Sequence, residues 1–334
     1  MKLQDLKKRY MATLKSSETE DWLDYRVVRP LCYFLAVFFA KLNIHPNTVT
    51  ILSMIIGAAS CVFFYHGSIV YEGWDGFWLN VIGVLLLCVA DLFDCTDGQL
   101  ARMTGKKSRL GRILDGMAGF VWFIPIYYAI MFRFYNHHSL EFGWLGLDPN
   151  NELYTLIGTA IVVVLAHYSG FVGMGGQQRV ADYYIQIHLF LIKGEKGSEL
   201  DTSEQQQKAY DETPSEGNRI WKYFLRSYIE YTRKQEKATP EFQKLAALLR
   251  EKYGSAGNMP GEIRAELLRE SRRIMPWNAM LTFNFRTGMF FLFCLIDLPA
   301  CNFLFEIFCL GLLTYCIKRH HEGFCKKVRE SLTL

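Results

Sequence analysis

Six stretches of this chain, near 47–67, 77–101, 111–132, 153–174, 279–297 and 300–318, are apolar over about the ~20 residues that a helix needs to cross a bilayer core. Dispersed along the whole chain, they argue for one membrane bundle rather than two soluble domains. The chain is 51% apolar with 15% aromatic residues, and its mean hydropathy of +0.07 is held down by one long polar block. Asn-Gly hairpin signals, internal repeats and low-complexity tracts are absent from the sequence. The expected fold is therefore all-α: a polytopic membrane protein with a six-transmembrane-helix bundle, an N-terminal interfacial helix and a cytosolic helical insertion.

The boundaries follow from composition and charge. Residues 1–45 form a cytosolic N-terminus and interfacial helix, 46–175 the first four spans, 176–275 the insertion, and 276–334 the last two spans and a cytosolic tail. Arg102, Lys106, Lys107, Arg109 and Arg112 gather between the second and third spans. Lys318, Arg319, Lys326, Lys327 and Arg329 follow the sixth, and the 176–275 block is also rich in Lys and Arg. The opposite loops carry almost none, Arg133 being the exception. Lys and Arg are retained on the cytoplasmic side of short loops, so both termini are expected there. A net charge of +4 suits an anionic leaflet and points to no nucleic-acid partner.

No secretory leader is expected, because the N-terminal region is polar and lacks an early apolar core. Residues 21–44 read instead as a helix in the headgroup layer, with Trp22, Tyr25 and Leu31–Phe39 toward lipid and Arg26 and Arg29 toward phosphates. Pro46 then redirects the chain. In the 176–275 block, Trp221, Leu225 and Tyr228 with Lys222, Arg226 and Arg233 predict an amphipathic helix. A second is predicted to start at Thr239-Pro240-Glu241 and stop at Gly254, and a third to run from Gly261 to Arg273.

Three carboxylates stand where the second span ends and the third begins. Asp94 and Asp97 are three residues apart and share a helix face, and Asp115 joins them if the next helix packs antiparallel. Charged groups at bilayer depth cost several kcal/mol and persist mainly where they line a cavity or bind an ion. Hard oxygen donors suit Mg²⁺ or Mn²⁺, whose coordination shells substrate phosphate often completes. Gly98 and Ala101 keep the stretch narrow for a bulky ligand, and Arg102 offers a guanidinium fork to phosphate. The ligand read from these residues is a phosphate ester.

Asp94, Asp97, Gly98, Ala101, Arg102, Gly111 and Asp115 occupy seven fixed positions of the pattern D-x(2)-D-G-x(2)-A-R-x(8)-G-x(3)-D-x(3)-D, and Pro46-Asn47-Thr48-Val49-Thr50 matches P-N-x-x-T. This resembles the CDP-alcohol phosphotransferase family, over residues 20–175 by motif and beyond them by pattern alone. The resemblance implies metal-dependent transfer of a substituted phosphoryl group from a CDP-linked lipid, such as CDP-diacylglycerol, to an alcohol, releasing CMP in phospholipid biosynthesis. It implies Asp94, Asp97 and Asp115 as metal ligands and catalytic residues, and Asn47, Thr50, Gly98, Ala101, Arg102, Ser108 and Gly111 as substrate-binding. It further implies a small alcohol or phosphorylated polyol as acceptor, a bilayer around the bundle, and an assembly in which a homodimer is allowed. The chain departs from the pattern at Gly119, where the family carries the aspartate assigned as general base.

Other polar residues need roles. Asp91 lies one turn before Asp94 and reads as a spare ligand, a base or a hydrogen-bonding neighbour; His167 reads as a packed histidine or a catalytic one. Arg286, next to Asn284 and Thr287 in the fifth span, is assigned to substrate binding as a partner for an anionic acceptor, and Glu306 in the sixth span is its alternative partner. Arg179 would add weight to a phosphorylated acceptor if it faces the same pocket. The nine cysteines show no C-x-x-C or zinc spacing and read as reduced packing residues. Two rival classes accompany the enzyme: a non-catalytic member that binds CDP-lipid or acts as a scaffold, which the loss of the last acid favours, and an ion-coupled transporter.

Overall fold

In the computed structural model, residues 10, 11, 13, 18, 19, 22–106, 108–194, 198, 200–214 and 219–333 are described. The first nine residues of the expected N-terminal segment and Lys107 of the basic turn lie outside them. All regular structure among the described residues is helical. Five helices among the described residues are long and apolar enough to cross a membrane: Pro46–Tyr65, Trp74–Thr104, Leu114–Asn136, Glu152–Lys193 and Cys301–Thr333. Where the sequence predicts a span at 279–297, the helix Phe283–Leu295 has 13 residues, about 20 Å of rise against a hydrocarbon core of ~30 Å.

The chain divides into two compact units. One contains Met1–Met174 and Phe283–Phe308. Its first helix, α1 (Arg29–Lys41), is entered through a π turn at Asp24–Val28 and buries Cys32, Tyr33, Ala36 and Phe39. Val27, Leu31, Phe34 and Phe38, spaced at helical intervals, are exposed on the other side. An outward apolar stripe of that kind suits the headgroup boundary.

Pro46 opens α2 (Pro46–Tyr65), with His45 as its cap accepting from Asn47 N at 3.2 Å; proline suits this position because the first-turn N–H groups have no helical acceptor. Next come α3 (Trp74–Thr104) and α4 (Arg109–Asn136). In lipid the apolar surface of a helix gains little by leaving its solvent, so close packing must hold the bundle together. Gly57 permits it: a Cβ there would lie 2.2 Å from the Trp122 ring, and one at Gly83 2.9 Å from the Phe64 ring.

At the end of α4, Arg133 is buried. It pairs with Asp297 and donates to Phe64 O at 2.9 Å and Asn80 Oδ1 at 3.3 Å, while Asp297 accepts from Ser68 Oγ and Val70 N. The single basic residue of that loop is thus neutralised. A short helix α5 (Ser139–Leu145), α6 (Glu152–His167) with a π segment to Met174, and the later α12 (Phe283–Leu295) also belong to the unit.

The second unit contains Gly175–Thr282 and Cys309–Leu334. Its helices are α7 (Gly175–Lys193), α8 (Ser203–Glu212), α9 (Arg219–Ala238), α10 (Pro240–Tyr253), α11 (Gly261–Ala279) and α13 (Gly311–Thr333). The three helices expected in the polar block are present, and Gly254 ends α10 at φ 76°, a backbone angle that favours glycine. Helix α9 turns Leu225, Ile229, Thr232 and Gln235 inward. The chain's last helix belongs to the same core: Tyr184 stacks on His321 at 4.3 Å between ring centres, and Arg329 pairs with Glu241 at 2.9 Å.

Candidate functional site

Helix α3 has 31 residues, a rise of about 46 Å, so its two ends are far apart. The motif occupies the end that Gly105 closes in a left-handed conformation, φ 71°. Ser108 then starts α4, its Oγ accepting from Gly111 N at 2.9 Å. After this short connection α4 packs against α2, which also lies along α3, and Asp115 comes within electrostatic reach of the α3 carboxylates. The start of α2 comes to the same end, and the motif residues meet there.

Asp97 is 5% exposed and accepts a hydrogen bond from the Thr50 hydroxyl, which joins α2 to α3. Asp94 interacts electrostatically with Asp115, Asp97 and Asp91, all of like charge, and with the Arg29 guanidinium. Its Oδ1 is buried and has no hydrogen-bond partner. Asp97 also interacts with Asp115 and Arg102. Asn47 Oδ1 lies 3.5 Å from Ser108 Oγ. A Cβ at Gly111 would sit 2.8 Å from the same Asn47 oxygen, which accounts for a glycine there. The Arg102 guanidinium lies over Gly98, where a Cβ would stand 3.4 Å from its nitrogen, and Arg102 Nε donates to Thr13 O at 2.5 Å.

Asn47, Thr50, Asp94, Asp97, Gly98, Arg102, Ser108, Gly111 and Asp115 therefore share one end of the bundle, with Ala101 on the same turn of α3. Among the described residues, no three His, Cys, Asp or Glu side chains stand together as a ready-made ion site. The donors nevertheless suit a divalent cation: hard oxygens of one charge, one of them buried without a partner.

Arg286 is elsewhere. It is fully buried and ion-paired with Glu306 at 2.7 Å, the alternative partner left open by the sequence, and Glu306 also accepts from the hydroxyls of Tyr127 and Ser169. His167 contacts Val163 O at 2.8 Å and Tyr128 OH at 3.2 Å, as a packed histidine would. Asn284 donates to Asp24, and Arg179 lies over the Tyr231 ring. Gly119 is open: a Cβ there would meet nothing within 4 Å.

Arg29 was read from sequence as facing lipid phosphates; in the structure its guanidinium also lies within electrostatic reach of Asp94. The signal was present in the charge balance, since clustered carboxylates at this depth require a cation, but the sequence alone could not select which arginine supplies it.

Residues 43–172 match the family model of CDP-alcohol phosphatidyltransferase. No curated protein matches the chain. The chain thus carries a CDP-alcohol phosphatidyltransferase domain, a family of phosphatidyl transferases acting on CDP-linked alcohols in lipid synthesis, within an integral membrane protein.

Proposed function

We propose that the protein transfers a phosphatidyl or other substituted phosphoryl group from a CDP-linked lipid to an acceptor alcohol and releases CMP. The observation that carries this reading is the buried, unpartnered oxygen of Asp94 on α3, with Asp97 and, from α4, Asp115 within electrostatic reach of it. Asp94, Asp97 and Asp115 would hold Mg²⁺ or Mn²⁺, which when bound would neutralise charge developing on the transferred phosphoryl group and on departing CMP.

The chain's own groups have separate tasks. Thr50 holds Asp97 in one orientation, and Arg102 offers its positive charge to a donor phosphate. Asn47, Ser108 and Gly111 shape the narrow floor against which the nucleotide rests, with Gly98 and Ala101 permitting close approach along α3. The acceptor oxygen forms a bond to the donor phosphorus as the bond to CMP breaks, and the hydroxyl proton passes to a base. With Gly119 at the usual position of that base, Asp91 takes the role, because it is close enough to Asp94 to interact with it. His167 is committed to Val163 and Tyr128. With Arg286 paired to Glu306 and Arg179 over Tyr231, neither of these two arginines adds weight to a phosphorylated acceptor over a neutral alcohol.

The basic turn at Arg102–Arg112 supports a cytoplasmic motif and cytoplasmic termini. The deciding experiment is transfer of isotopic label from CDP-diacylglycerol in liposomes to a panel of alcohols and phosphorylated polyols, with products identified by mass. A labelled product and stoichiometric CMP are expected. Intact CDP-lipid binding without turnover across the panel would favour the non-catalytic reading that the loss of the last acid suggests.

A further inference from the structure

The family-matched segment begins at residue 43, yet contacts from earlier residues reach the carboxylates. Thr13 O accepts from Arg102 Nε at 2.5 Å. Helix α1 is fastened along α3: Cys32 Sγ donates to Leu92 O at 3.3 Å, Gln99 Nε2 donates to Arg29 O at 3.2 Å, and Phe39 packs edge-on against Phe93 at 5.8 Å. The two hydrogen bonds bracket Asp94 and Asp97 in sequence. They fix the Arg29 backbone on this part of α3, and the Arg29 guanidinium interacts with both Asp94 and Cys95. Arg102 interacts with Asp97. Asp94 and Asp97 thus each lie within electrostatic reach of a guanidinium, one from inside the matched domain and one, anchored on α3 through its backbone, from outside it.

We propose that Arg29 is a donor-site residue, which with Arg102 flanks the Asp94–Asp97 pair and binds an oxygen of the donor's diphosphate. The proposal rests on the reading of the protein as a CDP-linked transferase. A diphosphate brings further negative charge to carboxylates that already repel one another, so cations must come with it or wait for it. Arginine suits the second case: its guanidinium stays protonated, and its planar fork matches two phosphate oxygens. The outward face of α1 remains free to meet lipid while its inner face serves the site.

The test is binding of CDP, without a lipid chain, to full-length protein in phospholipid-free detergent at fixed Mg²⁺. Loss of a charge-assisted phosphate contact should weaken binding about tenfold or more in Arg29→Gln. Arg29→Lys, which keeps the charge but not the fork, should fall between it and wild type. Arg26→Gln, an exposed change on the same segment, should bind as wild type does. Ligand-free melting of each variant separates binding from folding, and if Arg29→Gln does not fold, Arg29→Lys alone decides. Wild-type affinity for CDP in folded Arg29→Gln or Arg29→Lys would overturn the proposal, including the case in which Arg29 serves bilayer headgroups. Wild type that does not bind CDP would overturn the transferase reading itself.

Discussion

Arg286 and Glu306 meet at 2.7 Å with both side chains 0% exposed, on two segments of the bundle that are separate in sequence. Two hydroxyls, from Tyr127 and Ser169, complete the surroundings of the carboxylate. Ion, counter-ion and hydrogen-bond donors are all supplied by the protein, which is how a charge survives where water cannot reach it.

Removing one member should therefore cost more than removing both. Glu306→Leu leaves a buried guanidinium uncompensated, a loss of about 3–5 kcal/mol. The double variant Arg286→Met with Glu306→Leu should be more stable than either single change. Unfolding of the detergent-solubilised proteins measures this, and a double variant as unstable as the sum of the singles would contradict it.

Metal should stabilise the wild type. A ligand that binds only the folded state raises its stability by mass action, so millimolar Mg²⁺ or Mn²⁺ should raise the melting temperature. Asp97→Asn should lose most of that gain. Equal responses in the two proteins would rule out a shared carboxylate site.

Replacing Asp91 should slow the reaction more than it weakens donor binding. Losing a general base typically costs 10²–10⁴-fold, so Asp91→Asn should lower kcat by about that range, and His167→Gln should stay near wild type. The space at Gly119 can receive a carboxylate. If Asp91 already takes the proton, Gly119→Asp gives no gain; a large gain would mean that the activity had simply lost its base.

Topology can be read by thiol labelling. The Lys208 side chain is 70% exposed, so Lys208→Cys in a variant stripped of other cysteines presents one accessible thiol. With a cytoplasmic 175–282 segment, it should resist membrane-impermeant reagents in intact cells and react after lysis. Labelling before lysis would reverse the orientation.

Glu141 sets a pH dependence outside the spans. Burial raises its carboxyl to about 7 from 4.5, and its Oε2 has no hydrogen-bond partner. The folded state then holds the proton more tightly than the unfolded one, so stability should fall as pH rises from 4.5 to about 7 and level off above. Glu141→Gln should flatten that slope; an unchanged slope would assign it to other groups.

The sequence by itself determined what depends on order along one helix. Apolar runs of bilayer length required helices, Thr239-Pro240 and Gly254 marked both ends of α10, and the three-residue step from Asp94 to Asp97 put two carboxylates on one face. The approach of Asp115 was legible only on the condition that the next helix packs antiparallel, and the structure meets it by packing α4 on α2. What only the tertiary structure decided were the partners across helices. Arg286 had an acceptor anion and Glu306 as equally sensible partners, Arg29 was read toward lipid phosphates alone before Asp94 came within its electrostatic reach, and Arg133 looked like a lone loop charge until Asp297 was set against it. Spacing specifies which residues share a face. It does not specify how far each helix is rotated or how deeply it sits, and a charge in a bundle chooses its counter-ion by those two quantities.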